Sequence, residues 1–258
     1  LEAAKRVDPE FRFEAIDPHP YRNFYEGEGT DVDEDWAKTF ALLDECGYPS
    51  MPCYCFGGGY AFPFYMPTWN NISPWLLCGF KDAYNALHLP GYDLGWGSRV
   101  AAAIQLRYNL VAYKYASRLR TNTNWDPKTL DAQNPISSNI GTAAQTELLG
   151  DARFLEDVRF APACRAYVFD DAHGHATAVF WKYSKAMECG REQCATLAIG
   201  LQCLQAEVFD MMANPSTVEF DPQGRMLLPL SNFPVYVRVA RSRARELAAA
   251  FRDAREVR

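Results

Sequence analysis

The residues best suited to ligand chemistry in this chain are polar and aromatic side chains that follow predicted strands or lie on one long loop. Imidazole and amide groups exchange hydrogen bonds with hydroxyls, and aromatic faces stack on the apolar C–H faces of sugars. Together these residue types fit either a carbohydrate-binding cleft or a large core, and the candidate binding residues are His19, Tyr21, Trp69, Asn122, Asn124 and Trp125.

Each of these positions also has a purely structural interpretation. His19 and Tyr21 lie in a segment that two prolines are predicted to hold as a rigid loop. Asn122 and Asn124 precede an Asp-Pro pair, where turn formation alone would use them. Trp69 belongs to a loop of the length that is usually functional, and it could stack on a sugar, contact another subunit or pack over the domain.

Three carboxylates are candidates for acid–base or nucleophilic chemistry. Glu14 lies within a predicted strand, and Glu26 and Glu28 flank Gly27 in an acidic loop. The alternative for Glu14 is a structural ion pair, and for the two loop residues it is simple solvation. No catalytic residue is therefore assigned, and these three glutamates stay as candidates.

The sequence predicts neither a metal site nor a cofactor. His173 and His175 flank a glycine in a predicted hairpin turn, with no third ligand nearby. The run Gly57-Gly58-Gly59 lacks the spacing of a phosphate-binding loop. The eight cysteines lack paired CxxC spacing and are predicted to be buried small hydrophobes, and a Cys189–Cys194 bridge across a hairpin stays open.

Composition limits the partners of the chain. Its 258 residues carry a net charge of −6, which disfavours a nucleic-acid partner because phosphate binding requires a clustered basic surface. The basic run from Arg238 to Arg245 is predicted to be a solvated helix face. No apolar run of 18 residues exists, so no membrane partner is predicted. We expect a soluble protein whose compartment, secreted or periplasmic included, stays open.

The first 150 residues alternate short apolar runs with amphipathic helices. Strands are predicted at residues 11–16, 50–56 and 117–125, and helices at 33–46, 73–87, 97–116 and 140–149. This order predicts parallel strands with helices packed outside. Three strands cannot close an eight-stranded barrel. Either the sheet is open and small, or an earlier part of a barrel is missing, and residue 1 falling inside a predicted helix favours the second interpretation.

Residues 151–240 have a different pattern. Short strand-length runs with alternating polarity are separated by turn clusters at residues 171–174, 214–216 and 221–224. This pattern predicts a small antiparallel β-sandwich. Residues 241–258 are predicted to form a C-terminal helix. The predicted fold class is thus α/β plus all-β, with the first domain at residues 1–150.

The order of these elements resembles the C-terminal part of a clan A glycoside hydrolase, in which the last βα units of a TIM barrel precede a β-sandwich. The run Ile16-Asp17-Pro18-His19-Pro20-Tyr21 is similar to the end of the sixth barrel strand, and Pro52–Gly57 to the seventh strand. The helix at 98–115 resembles the one that precedes the eighth strand, and the run 117–125 resembles that strand. The runs VFDMMANP and LPLSNFPVYV are similar to the sandwich.

The resemblance implies two catalytic glutamates, and this chain departs from that pattern. The acid/base comes from the fourth barrel strand, which this chain does not contain. The nucleophile position on the seventh strand falls at Cys55 or Phe56. A neutral thiol is a poor substitute for a carboxylate in this reaction. The chain by itself is therefore not expected to hydrolyse glycosides by the two-carboxylate route.

Two hypotheses follow for function. In the first, the chain is part of a glycosidase whose barrel is completed by an upstream segment or a second subunit. In the second, it is a catalytically inactive carbohydrate-binding or assembly protein that keeps the same body. A distant third is an unrelated α/β protein with an open sheet.

Overall fold

The computed structural model describes residues 6–8, 10, 12, 14–16, 21–23, 32–55, 59–61, 94–121, 137–161, 163–171, 173–182, 194–201 and 205–257. Within these residues the protein is a mixed α/β structure. Short parallel strand pairs and three helices make up the first part, and antiparallel sheets make up the second. The predicted helix at 73–87 lies outside the described residues.

Three helices precede the antiparallel sheets, and all three were predicted from the sequence. They are α1 (Val32–Glu45), α2 (Leu94–Lys114) and α3 (Ser137–Leu149). The spacing of Trp36, Phe40 and Leu43 puts all three side chains on the buried face of α1. Gly47 follows α1 with a φ of +83°, a backbone conformation in which glycine avoids the cost that a Cβ would add.

The described strands of the first part are three residues long, and they pair in parallel. Strand β1 (Tyr21–Asn23) pairs with β3 (Gly59–Ala61), and β2 (Cys53–Cys55) pairs with β4 (Leu119–Thr121). Of the predicted strand at 11–16 the structure describes residues 12 and 14–16, and among these Ile16 forms a parallel bridge with Cys53. The prediction of a rigid loop at Tyr21 was wrong, because this residue begins β1. Gly59 likewise begins a strand.

The second part contains two antiparallel sheets. One has the strand order β5 (Arg153–Phe160), β6 (Cys164–Asp170), β7 (His175–Lys182), β12 (Val235–Ala240) and β9 (Glu207–Phe209). The other has the order β10 (Glu219–Phe220), β11 (Met226–Leu230), β8 (Ala195–Ile199) and β13 (Arg255–Val257). We call them the five-stranded and the four-stranded sheet.

The C-terminal residues form more than the predicted helix. A 3₁₀ turn at Arg241–Arg243 leads into helix α4 (Ala244–Arg252), which ends well before residue 258. The chain then turns back, and Arg255–Val257 pair antiparallel with β8 as an edge strand. Helix α4 buries Leu247 and Phe251 on one face, because its apolar residues recur at helical spacing.

The five-stranded sheet is buried on both faces. Alternate residues of its strands point to opposite sides. One side shares a hydrophobic cluster with the four-stranded sheet and α4, which includes Phe180, Val237, Leu228 and Phe251. The other side packs against α2 and α3 through Tyr167, Phe169, Trp181, Tyr236, Leu110 and Leu149. Because of this double burial, β6 and β7 are buried at nearly every position, whereas the sequence pattern predicts polar–apolar alternation.

Three turns in this part share one design based on an aspartate. In each, the aspartate Oδ1 accepts hydrogen bonds of 2.8–2.9 Å from the backbone N–H groups two and four residues later. The aspartate N–H also donates to the carbonyl four residues later. The fourth residue of each turn has a positive φ. These aspartate turns begin at Asp171, Asp210 and Asp221, and their positive-φ residues are Gly174, Ala213 and Gly224.

In the stretches that the structure describes, no helix combines the length and the apolar character needed to cross a lipid bilayer.

Candidate functional site

The carboxyl ends of three parallel segments meet at one edge of the first part of the structure. Ile16 pairs with Cys53, and β2 pairs with β4 in the register Cys53–Leu119. Backbone hydrogen bonds join the three segments, with Tyr54 N–H donating to Ile16 O at 2.8 Å and Cys53 N–H to Arg118 O at 2.9 Å. Because the segments run in the same direction, their carboxyl ends at Ile16, Cys55 and Thr121 lie at the same edge of the sheet.

The two faces of this small parallel sheet differ in their surroundings. Cys53 and Leu119 are buried in a cluster with Trp36 and Phe40 of α1 and Tyr108 of α2. Tyr54 follows the inward-facing Cys53 in β2, so its side chain is on the opposite face, where it is 36% exposed. The face opposite α1 and α2 therefore presents an aromatic ring with a hydroxyl.

Strand β2 supplies no group able to act as a glycosidase nucleophile. It reads Cys53-Tyr54-Cys55, and no Asp or Glu occurs anywhere between Met51 and Asn71. Burial raises the pKa of Cys53 above its ordinary value, with the charge of Arg118 opposing the shift. The Cys53 thiol is therefore neutral near pH 7, and it faces the helices rather than the strand ends.

The structure describes only two of the predicted site residues. Glu14 is exposed and precedes Ile16 by two residues, on the side of the sheet away from the strands' carboxyl ends. Tyr21 lies in β1, beside Gly59 of β3. The other predicted residues lie outside the described residues: Glu26, Glu28, His19, Trp69, Asn122, Asn124 and Trp125.

The histidine pair His173 and His175 belongs to the first aspartate turn. Both backbone N–H groups donate to Asp171, and His175 Nδ1 lies 3.4 Å from Asp171 Oδ2. Within the described ranges, no group of three His, Cys, Asp or Glu side chains is placed to hold a metal ion. Cys194 is described as a free thiol, whereas Cys189 lies outside the described residues.

A buried charge network, which the sequence did not reveal, joins α1 and α2 to the five-stranded sheet. We call it the Asp33 network, and it consists of Asp33, Lys114, Tyr115, Asp157, Arg165 and Tyr167. Lys114 Nζ donates to Asp33 at 2.9 Å and to Asp157 at 3.1 Å. Arg165 contacts Asp157 through two nitrogens, at 3.0 and 2.7 Å, and also donates to Asp33.

Two tyrosine hydroxyls complete the coordination of Asp33. Tyr115 donates at 2.7 Å and Tyr167 at 3.0 Å. Burial alone raises the pKa of Asp33, but the charge of Arg165 and hydrogen bonds from Lys114 and Tyr115 outweigh burial and lower it below the usual value. For Asp157 the same balance holds, because Arg165 and Lys114 outweigh burial and lower its pKa. Burial, together with Asp33, raises the pKa of Tyr115 and Tyr167.

The Asp33 network is suited to holding elements together and poorly suited to catalysis. Its two carboxylates face two cations, so each charge is matched inside the protein. Carboxylates with lowered pKa values stay ionised near neutral pH and do not donate protons. From the sequence alone, Asp33 is only a candidate cap of the helix predicted at 33–46. The signal that could have revealed the network is Arg165, a cation in strand β6 that directly precedes the apolar run Ala166-Tyr167-Val168-Phe169.

Comparisons with known proteins give distant structural similarities only. No protein-family model matches the sequence, and no curated protein matches it. The chain is similar to a family 39 glycoside hydrolase from the gut symbiont Bacteroides cellulosilyticus WH2, with 14% identity and a TM-score of 0.48, over 79% of this chain and 37% of that one. It is also similar to a GH27 β-L-arabinopyranosidase from Geobacillus stearothermophilus, with 11% identity and a TM-score of 0.34, over 81% of this chain and 54% of that one. The chain thus spans between about a third and about a half of the length of these two proteins.

Proposed function

We propose that this chain forms the last βα units of a (β/α)₈ barrel followed by a β-sandwich, and that it binds a glycan at the carboxyl ends of the barrel strands. The observation that carries the proposal is the chain-order parallel pairing of Ile16, β2 and β4, with α1 and α2 packed on one face. In a (β/α)₈ barrel, consecutive strands pair in this way and helices cover the outer face.

The proposed ligand site lies where ligands of this fold gather. In barrel enzymes the site is built from the loops that follow the strands. Tyr54 lies in β2 on the face opposite Cys53, is 36% exposed, and offers a ring for stacking and a hydroxyl. The sequence candidates His19, Trp69, Asn122, Asn124 and Trp125 follow the same strands, and they complete the proposed site.

The proposal favours glycan binding over cleavage by this chain alone. Retaining glycosidases hold two carboxyl groups about 5 Å apart, one of them as nucleophile. The strand in the seventh position has none, and Glu14 lies toward the other end of the sheet. Cleavage would need carboxylates from Glu26, Glu28, an upstream segment or a second subunit.

Completing the barrel requires further strands. Parallel sheets are normally covered on both faces and have no open edges when closed. The face that carries Tyr54 is the barrel interior in this proposal, and an upstream segment or a second subunit would supply the remaining strands.

The test combines binding and turnover measurements on the purified chain. We expect a hit on a glycan array, confirmed by calorimetry, without release of sugar from aryl glycosides or from the bound glycan. The substitution Tyr54→Ala should weaken binding by about tenfold, because one stacking contact is lost. The control Phe220→Ala removes an exposed aromatic ring from β10 and should leave affinity unchanged.

Two results would contradict the proposal. If the Tyr54→Ala variant bound the glycan with unchanged affinity, the strand ends would not be the binding site. Glycoside hydrolysis by the purified chain, at a rate that follows its concentration, would show that it carries its own carboxylate pair and would replace binding by catalysis.

A further inference from the structure

A polar cleft lies in the antiparallel part of the molecule. Its lining residues are far in the sequence from the parallel strands. Its volume is about 480 Å³, within the range of small-molecule sites. Its walls come from three neighbouring strands of the five-stranded sheet: His175 begins β7, Glu207 begins β9, and Arg238 lies in β12 between them. We call it the β9 cleft.

Arg238 is a fixed hydrogen-bond donor in the β9 cleft. Its Nη2 donates to the Leu148 carbonyl at the end of α3, at 3.2 Å, and its guanidinium lies over the Phe209 ring at 5.3 Å. The side chain is 17% exposed. Its Nε is buried and has no hydrogen-bond partner within the part of the chain that the structure describes. A guanidinium held in this way loses little freedom when a ligand binds.

Glu207 and His175 supply the complementary groups. Glu207 lies directly opposite Arg238 in the sheet register, and its carboxylate is 3.9 Å from Arg238 Nη1, too far for a hydrogen bond. Its side chain is 60% exposed, so the carboxylate oxygens can accept from a ligand. His175 is 42% exposed, and Asp171 at 3.4 Å orients its ring. Gln205 adds an amide that both donates and accepts.

These groups select a class of ligand. Glu207 repels an anion such as a carboxylate or phosphate, and Arg238 repels a cation. A hydroxyl can accept from Arg238 and donate to Glu207 in the same complex. We propose that the β9 cleft is a second saccharide-binding site, for neutral sugars, which acts independently of the strand-end site proposed above.

The test follows His175 by NMR, because the chain has only four histidines. The variant His175→Asn assigns its ring signals. The full chain is titrated with the neutral disaccharides xylobiose, cellobiose and lactose. We expect saturable shifts of the His175 ring with at least one of them. Glu207→Gln should weaken that titration by at least about tenfold, because a hydrogen bond to a charged acceptor is lost.

The matched control is Glu219→Gln, which changes an exposed glutamate of the four-stranded sheet and should titrate as the wild type does. The inference would be overturned if no disaccharide shifted the His175 ring signals. It would also be overturned if the Glu207→Gln variant titrated like the wild type. The readout separates the two sites. Tyr54→Ala should leave the His175 titration unchanged, and loss of the strand-end site would leave the β9 cleft intact.

Discussion

The two faces of the five-stranded sheet are held by different kinds of contact. Toward the four-stranded sheet and α4, the contacts are apolar and include Phe180 against Phe251 at 5.2 Å between ring centroids. Toward the helices, aromatic packing is combined with the four charges of the Asp33 network. Apolar contacts tolerate changes of shape, whereas buried charges depend on every partner being present.

This difference separates two ways of fixing a structure. The apolar side needs residues that are hydrophobic and of about the right size, which a sequence pattern can encode locally. The charged side needs residues 33, 114, 157 and 165, which lie far apart in the chain, to meet with correct geometry. The charged side therefore fixes how α1 and α2 sit on the sheet, and four substitution experiments can break or sharpen the contrast.

The largest effect is expected from Asp33→Ala. It leaves Arg165 and Lys114 with one carboxylate between them and removes the acceptor of two tyrosine hydroxyls. Removing one partner of a buried ion pair typically costs ~3–5 kcal/mol, and we expect a loss of that order in the free energy of unfolding by urea denaturation. The neighbouring Glu34→Ala, on the same helix but with a 45% exposed side chain, should change stability by less than about 0.5 kcal/mol. Equal losses for the two variants would show that the network is not special.

Lowering the pH should progressively reduce the contribution of the Asp33 network to the stability of the protein. The pKa values of Asp33 and Asp157 are below the usual 3.8, so the folded state binds fewer protons than the unfolded chain. Their stabilisation is fully present above 3.8 and is lost as the pH falls through the lower folded values. Asp33→Asn should therefore lose less stability than the wild type between neutral pH and that acid range, measured by thermal unfolding. An Asp33→Asn variant whose stability falls with acid as steeply as that of the wild type would contradict this account.

A pair of Arg→Lys substitutions isolates the effect of burial. Arg165 and Arg153 each contact an aspartate through Nε and Nη2, but their side chains are 12% and 72% exposed. A lysine cannot reproduce the two-nitrogen contact. We expect Arg165→Lys to cost about 2 kcal/mol through lost charged hydrogen bonds, and Arg153→Lys less than about 0.5 kcal/mol because exposed pairs contribute little. Chemical denaturation measures the free energy of unfolding of both variants. Similar losses of stability in the two would contradict the role of burial.

The smallest effects are expected in the three aspartate turns, which allow a comparison within the chain. Gly174 and Gly224 have φ values of +92° and +74°, and an added Cβ would meet no atom within 4 Å. Each Gly→Ala substitution should therefore lower the free energy of unfolding only by the cost of a Cβ in the left-handed backbone conformation, about 1 kcal/mol. Ala213 has a φ of +61° in the equivalent position, so Ala213→Gly should stabilise the protein by up to about 1 kcal/mol. A loss of thermal stability in Ala213→Gly would contradict this account.

The local features of the fold were predictable from the sequence. The spacing of Trp36, Phe40 and Leu43 predicted α1 and its buried face, and Gly150 with φ +52° follows α3 where the helix was predicted to stop. The turns at Asp171 and Asp221 were predicted from their Asp and Gly residues. These features depend on residues a few positions apart, so short-range steric and hydrogen-bonding preferences decide them. The predicted combination of α/β and antiparallel β structure is confirmed at this coarse level.

The long-range features were not predictable. The C-terminal strand β13 is too short to have a pattern of its own, and it forms because β8 offers an unpaired edge. Tyr21 is in a strand because Gly59 lies beside it, against the local preference of a proline-rich segment. Of the candidate site, the sequence established the missing carboxylate of β2. The position of Glu14 relative to the strand ends could be found only from the pairing of Ile16 with Cys53.

The sequence by itself determined helices α1 to α3, the aspartate turns at Asp171 and Asp221 and the absence of a carboxylate on β2, because these depend on residue identity and on neighbours along the chain. Only the tertiary structure decided that Asp33 is a buried partner of Arg165 and not just a helix cap, and that His175, Glu207 and Arg238 line one cleft. Both depend on strands and helices distant in sequence coming together, and the free energy of a buried charge or a polar cleft is set by those neighbours.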